Sequence, residues 1–169
     1  TEYGAETLLK KNLKNNKLKL SLDIKSIKEA KNVIITIGTP VDEYLNPKTK
    51  QFVDLFKTII PFLNKSQNII IRSSVFPGTC KNIYNLLKNK KFNISYCPER
   101  IVQGYGIEEL QKLPQIVSGF SKNAIKQSSL LFKKISPKII KTTVKEAELI
   151  KLFTNSLRYI QFATANQFY

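Results

Sequence analysis

Histidine is absent from the 169-residue sequence, and cysteine occurs only twice, at Cys80 and Cys97. The absence of histidine excludes Ser-His and Cys-His nucleophile pairs, and it excludes every metal site that uses an imidazole ligand. Two cysteines are too few for a disulfide scaffold, and their spacing matches no metal-binding motif. We therefore expect no metal site, and any acid–base chemistry must use carboxylates, lysine or water.

Long apolar runs are also missing, because the longest are short segments such as 33–35 and 69–71. A helix that crosses a bilayer needs ~20 apolar residues, and no signal-peptide pattern opens the chain. Apolar residues still make up 42% of the sequence, which is enough for a packed core. The sequence therefore predicts a soluble cytoplasmic protein without a membrane partner.

Acidic residues are scarce, since 12 Asp and Glu are opposed by 28 Lys and Arg, giving a formal net charge of +16. Such an excess is typical of proteins that bind nucleic acids or acidic membranes. Most of the basic residues are lysines spread along the whole chain, and no nucleic-acid-binding motif accompanies them. This distribution favours solvated helix faces over a nucleic-acid partner, although the positive field could attract an anionic nucleotide.

Apolar bursts alternate with amphipathic stretches along the chain, in the order typical of α/β proteins. Strands are predicted at 18–22, 33–37, 68–72, 93–96, 115–118 and 138–142. Helices are predicted at 5–16, 23–30, 51–64, 77–90 and 121–134, and from about 144 to the end. This alternation predicts a doubly wound parallel sheet with helices on both faces.

The last predicted helix is apolar on more than one face and continues to the final residue, Tyr169. A helix of that kind needs another domain or subunit to cover it. We therefore expect one domain over residues 1–142 and the start of a second, helical domain over residues 143–169. The irregular stretch 97–114 is long enough for function to be its default explanation.

Polar residues follow three consecutive strands at their carboxyl ends, where open parallel sheets bind ligands. The three segments are Gly38-Thr39-Pro40, Ser73-Ser74 and Cys97-Pro98-Glu99-Arg100. Each segment alone is ordinary turn chemistry. Three polar segments at one edge of the sheet favour a ligand site.

Lys151 and Asn155 lie four residues apart, so they share one face of the last helix. On a face otherwise lined by apolar residues, they could jointly donate hydrogen bonds to a developing oxyanion. The alternative is that Lys151 is one more surface lysine in a lysine-rich chain. The spacing alone does not decide between the two.

Four segments together resemble the UDP-glucose/GDP-mannose dehydrogenase family, in family order and at family spacing. They are VIITIGTPVDE (33–43), IIIRSSVFPGT (69–79), ISYCPERIVQG (94–104) and EAELIKLFTNSLRYIQFATAN (146–166). The resemblance covers nearly the whole chain and is closest to the UDP-N-acetylmannosamine dehydrogenase branch. It implies a Rossmann-like NAD-dependent enzyme that oxidises the C6 alcohol of a UDP-sugar to the acid with two NAD, and it implies a homodimer.

By motif position, the resemblance assigns Lys151 and Asn155 to the oxyanion and proton transfers at C6 and to substrate binding. It makes Glu99 a general base for thioester hydrolysis or a substrate-positioning carboxylate, with Arg100 beside it in the substrate site. Ser74 stands where the family usually has threonine, and it would hold a water or hydroxyl near the reacting carbon.

The resemblance also implies that Gly38, Thr39, Pro40 and Ser74 lie against the dinucleotide. The family's glycine-rich phosphate turn and its acidic ribose ligand precede the region that matches, and no GxGxxG occurs in the chain. The nucleophilic cysteine of the family lies in a later segment. We therefore expect a fragment that lacks parts needed for catalysis.

Gln103 departs from the UDP-glucose branch, which tends to have a second glutamate there, and the Pro-Glu-Arg segment is more typical of the N-acetylmannosamine branch. UDP-N-acetylmannosamine is therefore the expected substrate. The resemblance gives Cys97 no catalytic role and no histidine could activate it, whereas Cys80 is expected to serve packing. Two other hypotheses are a basic Rossmann-like nucleic-acid-binding protein and a non-catalytic protein that acts through its terminal helix.

Overall fold

The computed structural model describes residues 2–39, 41, 43–44, 48–87 and 92–169. The helices are α1 (Ala5–Lys14), α2 (Thr49–Ile59), α3 (Thr79–Leu87), α4 (Gly106–Lys112), α5 (Lys122–Phe132) and α6 (Val144–Phe168). The strands are β1 (Asn32–Ile35), β2 (Asn68–Ile71), β3 (Asn93–Tyr96), β4 (Gln115–Gly119) and β5 (Ile139–Lys141). Short 3-10 helices occupy Ile24–Glu29 and Ile60–Phe62.

The five strands form one sheet in the order β1-β2-β3-β4-β5. Three neighbouring pairs are parallel, whereas β3 and β4 are antiparallel, with Tyr96 opposite Ser118. The α/β Rossmann-like prediction is confirmed, with this one pair as the exception to an all-parallel sheet. The segment between β3 and β4 does not return across a face of the sheet, so β4 starts at the edge where β3 ends.

The three isoleucines of β2 show how helices cover both faces of the sheet. Ile69 and Ile71 belong to a core that includes Phe56 of α2, whereas Ile70 belongs to a second core with Phe132 of α5. Successive side chains of a strand point to opposite faces, so an unbroken apolar run requires cover on both sides. The doubly wound sheet was predicted from the alternation of strands and helices, and the two cores, one on each face, match it.

Two local predictions were wrong. Residues 18–22 form no strand, and the alternating leucines Leu18, Leu20 and Leu22 are all exposed. Alternating apolar residues form a strand only where a neighbouring strand can pair with them and a core can bury their apolar face. Among the described residues, neither a pairing strand nor a core lies against residues 18–22. The stretch 97–114 is not wholly irregular, because it contains α4. Its first residue is Gly106, and because glycine is a poor helix former, the sequence gives no signal for the start of this helix.

The long terminal helix is confirmed as α6, and its start is fixed by a capping box. Thr143 Oγ1 accepts a hydrogen bond from the N–H of Glu146, while the Glu146 carboxylate accepts one from the N–H of Thr143. From Phe153 onward it carries exposed apolar side chains at Phe153, Leu157, Tyr159, Ile160, Phe162 and Phe168. Among the described residues, no helix is both long and apolar enough to span a membrane.

The first residues of the chain are attached to the loop that precedes α4. Glu2 Oε1 accepts from the N–H of Gly104 at 2.9 Å, and Glu2 Oε2 accepts from the N–H of Gly106 at 2.7 Å. These two backbone donors lower the pKa of Glu2. The N–H of Tyr3 donates to the Gly104 carbonyl at 3.1 Å, so the start of the chain is joined to this loop.

Candidate functional site

The carboxyl ends of β1, β2 and β3 meet at one edge of the sheet and form an open cleft of about 420 Å³. The residues that line it are Thr36, Ile37, Gly38, Thr39, Arg72, Ser73, Ser74 and Glu99. The cleft exists because the three strands are parallel, so their polar ends lie side by side. Each of the three polar segments singled out in the sequence therefore contributes residues to this cleft: Gly38 and Thr39, Ser73 and Ser74, and Glu99.

The ends of β1 and β2 are joined by a hydrogen bond. The Thr39 hydroxyl donates to the Ser74 carbonyl oxygen at 2.5 Å, so its side chain fixes the Ser74 backbone. Gly38 is exposed, and a Cβ placed there would meet nothing within 4 Å. This open space leaves room for a ligand to approach the backbone. Pro40 lies outside the described residues, so its predicted cofactor contact stays a prediction.

Arg72, directly after β2, organises the centre of the cleft. Its Nη1 donates to the Cys97 carbonyl at 3.1 Å, and its Nη2 donates to the Glu99 carboxylate and to Gln115 Oε1, the latter at 2.9 Å. The side chain is only 9% exposed, and its Cζ lies 4.6 Å from the centre of the Phe132 ring. A buried arginine thus connects the ends of β2, β3 and β4.

The Glu99 carboxylate has hydrogen bonds to both of its oxygens. Its Oε2 accepts from Arg72, and its Oε1 accepts from the N–H groups of Arg100 and Ile101, at 2.8 and 3.2 Å. The side chain remains 25% exposed toward the cleft. A carboxylate held in this way is fixed in position and carries its charge to the cleft wall.

Lys151 of α6 is half-buried, and Asn155, one turn further, is exposed. Burial lowers the pKa of the Lys151 ammonium, whereas the charge of Glu99 raises it. The positive charges of Arg158, Arg100 and Arg72 lower the pKa further. Lys151 is therefore no ordinary surface lysine, because it lies within the electrostatic range of the cleft carboxylate and three arginines.

Arg100 and Arg158 hold the backbone beside the cleft. Arg100 Nη2 donates to the Pro114 carbonyl at 2.9 Å, which ties the loop after β3 to the start of β4. Arg158 Nη2 donates to the Arg100 carbonyl at 3.3 Å and so joins α6 to the same loop. In this arrangement the Arg100 side chain already has a protein partner.

Neither cysteine is suited to act as a nucleophile. Cys97 is fully buried, and burial raises the pKa of its thiol to about 12. Burial, followed by the charge of Glu148, raises the pKa of the equally buried Cys80 thiol. A thiol must ionise to attack, so both remain protonated and inert at neutral pH.

Sequence reasoning missed four residues that build the site: Arg72, Gln115, Glu148 and Arg158. Gln115 reaches the cleft because β4 is antiparallel, which puts the amino end of that strand at the carboxyl edge of its neighbours. Arg72 had a local signal, since an arginine directly after an isoleucine run marks a charge at a strand end. Glu148 gave no local signal of burial, and its role depends on how α6 packs.

Comparison with known proteins agrees with this geometry. The sequence profile described as "UDP-glucose/GDP-mannose dehydrogenase family, NAD binding domain" matches residues 1–136. A UDP-N-acetyl-D-mannosamine dehydrogenase of Methanococcus maripaludis is 32% identical over 172 residues, covering 99% of this chain and 39% of the relative. A UDP-glucose 6-dehydrogenase of Rickettsia felis is 30% identical, covering 98% of this chain and 39% of the relative.

Among solved structures, a UDP-D-ManNAc dehydrogenase from Pyrococcus horikoshii superimposes with a TM-score of 0.91 at 27% sequence identity. The match covers 99% of this chain and 42% of that structure. The chain therefore spans about two fifths of the length of the relatives that it matches.

Proposed function

We propose, on the premise that this chain belongs to the UDP-glucose/GDP-mannose dehydrogenase family, that it forms part of an NAD-dependent nucleotide-sugar 6-dehydrogenase. The observation that carries the proposal is a cleft lined by Ser74 and Glu99, together with a partly desolvated Lys151 whose ammonium interacts with the charge of Glu99. Residues 1–142 would be part of the NAD-binding domain. Residues 143–169 would begin a central helical domain through which two subunits associate.

The proposed reaction is a four-electron oxidation at C6 of a UDP-sugar. In the first step the alcohol loses a proton and a hydride and becomes an aldehyde. In the second step the aldehyde and one water lose a second hydride and two protons and become a carboxylate. NAD, when bound, accepts the hydride in each step, so two NAD are reduced for each sugar oxidised.

Lys151 and Asn155 would act on the oxygen at C6, whose negative charge grows as the proton leaves. A preorganised ammonium in a site that excludes water stabilises such an oxyanion far better than water does. Asn155 would add a neutral donor from the same face of α6, and the Ser74 hydroxyl would hold the oxygen or a water near the reacting carbon. The exposed position of Asn155 leaves it free to meet a substrate.

Glu99 would position the substrate and balance the charge of Lys151. Both of its oxygens already accept hydrogen bonds, so its geometry supports a fixed anion better than a mobile general base. The family resemblance implies a nucleophilic cysteine in the second oxidation. Both cysteine thiols of this chain are buried and protonated, so that role is assigned to no residue of this chain.

UDP-N-acetylmannosamine is the proposed substrate rather than UDP-glucose. The Pro98-Glu99-Arg100 segment and Gln103 support this choice, because both follow the branch that the sequence resembles. The Methanococcus maripaludis relative named for this activity supports it further.

The test is an assay of the full-length gene product with NAD and each of the two UDP-sugars. Two NADH per sugar, with a higher kcat/KM for UDP-N-acetylmannosamine, would support both the chemistry and the substrate. A higher kcat/KM for UDP-glucose would contradict only the substrate. A folded protein that turns over neither sugar would contradict the enzyme proposal, and salt-dependent nucleic-acid binding would then be measured instead.

The pH profile of this activity should depend on the charges around Lys151. The rate is expected to fall on the alkaline side as Lys151 loses its proton, since a neutral amine stabilises an oxyanion less well. Glu99→Gln removes the charge that raises the pKa of Lys151, so the alkaline limb of kcat should move to lower pH. Arg158→Gln removes a charge that lowers this pKa, so the limb should move to higher pH.

The control is Glu29→Gln, an exposed carboxylate on a different element, which should leave the limb in place. Opposite shifts for the two variants distinguish an electrostatic effect on Lys151 from a general loss of activity. Shifts in the same direction would show that another group sets the alkaline limb.

A further inference from the structure

We propose that Glu148 is a positioning residue, which holds the Lys151–Asn155 face of α6 against the loop that carries Ser74. This inference rests on the proposed function, because it concerns the geometry of the same site. Glu148 is not among the residues that line the cleft, and it acts through the two segments that it joins.

The Glu148 carboxylate is 2% exposed and binds two backbone amides. Its Oε2 accepts from the N–H of Gly78 at 2.8 Å, and its Oε1 accepts from the N–H of Cys80 at 3.0 Å. Both donors belong to the start of α3, where backbone N–H groups have no partner within the helix and carry partial positive charge. Among the described residues, this carboxylate is bound by these two backbone amides and by no basic side chain.

The carboxylate also occupies a position where an α/β protein commonly binds the phosphate of a ligand. Helix N-termini at the carboxyl edge of a parallel sheet are ready-made anion sites. Here the N-terminus of α3 binds the Glu148 carboxylate of the same chain, and this contact attaches α6 to α3. A dinucleotide phosphate must find its donors elsewhere.

Glu148, Lys151 and Asn155 lie on one face of α6, because their spacings of three and seven residues correspond to about one and two turns. Burial falls along this face, since Glu148 is buried, Lys151 is half-buried and Asn155 is exposed. At ~1.5 Å per residue, Lys151 lies about 4.5 Å from Glu148 along the helix axis, and Asn155 lies about 10.5 Å from Glu148. Any slide or rotation of α6 at Glu148 therefore moves both donors.

The backbone amides that bind Glu148 lie close in sequence to Ser74. Gly78 is only four residues after Ser74, and its φ of +89° fixes the turn by which the loop enters α3. The Thr39 hydroxyl holds the same loop at the Ser74 carbonyl. Glu148 thus sets the distance between the hydroxyl on this loop and the ammonium on α6, which belong to the two different proposed domains.

The test is Glu148→Gln in the full-length gene product. The side chain keeps its shape, but one oxygen becomes an NH₂ group that faces a backbone N–H, so one of the two bonds is lost. Since a misplacement of ~1 Å lowers rates by about 10²-fold, kcat should fall about 10- to 100-fold, with the KM for NAD within about twofold of wild type. Amide exchange at Gly78 and Cys80 should accelerate, and the alkaline limb of kcat should move because Lys151 changes its surroundings.

Glu29→Gln is the control, since it changes an exposed carboxylate on a different element and should alter kcat less than about twofold. Glu148→Asp keeps the charge and should recover part of kcat; it also serves if the glutamine variant does not fold. A folded Glu148→Gln or Glu148→Asp protein with wild-type kcat and an unmoved alkaline limb would overturn the inference. An inactive wild type would contradict the proposed function instead, so the two failures are distinguishable.

Discussion

Lys151→Ala is expected to lower kcat of the full-length enzyme by about 10²–10³-fold, the usual effect of removing one preorganised oxyanion donor. The expectation follows from the surroundings of this lysine, which burial partly desolvates and which Glu99 holds in its electrostatic field. A lysine fully exposed to bulk water would stabilise the oxyanion much less, so its removal would have little effect on kcat. Steady-state NADH formation at saturating UDP-sugar measures the effect directly.

Lys145→Ala is the matched control, because Lys145 is an exposed lysine six residues earlier on the same helix. Its replacement should change kcat less than about twofold. If the two variants lose activity equally, the effect reports the net positive charge of α6 and not an oxyanion contact. If neither loses activity, the catalytic assignment of Lys151 is wrong.

Arg72→Gln is expected to lower the free energy of unfolding by about 3 kcal/mol, as for a buried ion pair that loses one partner. The arginine is 9% exposed, and it supports the Cys97 carbonyl, Glu99 and Gln115 at once. Without the guanidinium, the Glu99 carboxylate faces the cleft with no cation bound to it. Urea unfolding of the full-length protein, followed by near-ultraviolet circular dichroism, measures the change.

Lys57→Gln provides the comparison, since Lys57 pairs with Asp54 across an exposed helix surface at 3.4 Å. Exposed pairs contribute ~0–1 kcal/mol, so this variant should unfold almost like the wild type. Similar losses for both variants would mean that the burial of Arg72 and its stacking on Phe132 contribute little.

The parts of the fold that the sequence predicted are those governed by local pattern. The isoleucine run of β2 identifies a buried strand, and the apolar pattern from about residue 144 identifies α6. The site at the ends of three strands followed from the parallel order of β1 to β3. In each case the information lies within a few residues.

The parts that escaped prediction depend on tertiary contacts. Gln115 reaches Arg72 only because β4 runs antiparallel to β3, and strand direction leaves little trace in a short apolar run. Glu148 looks like a second exposed glutamate beside Glu146 until α6 packs against α3. Residues 18–22 have the alternation of a strand without a neighbour to pair with.

The contact between Glu2 and the loop at Gly104 has a consequence for the order of events on the ribosome. The two residues are 102 positions apart, so the carboxylate is synthesised long before its backbone partners. At ~5–20 residues per second, about 5–20 s pass before these amides have been made. Helix α1 has no buried residue of its own. The leucines Leu8, Leu9 and Leu13 remain exposed in the folded chain. The attachment of α1 through Glu2 can therefore form only after β3 and the loop that follows it have been translated.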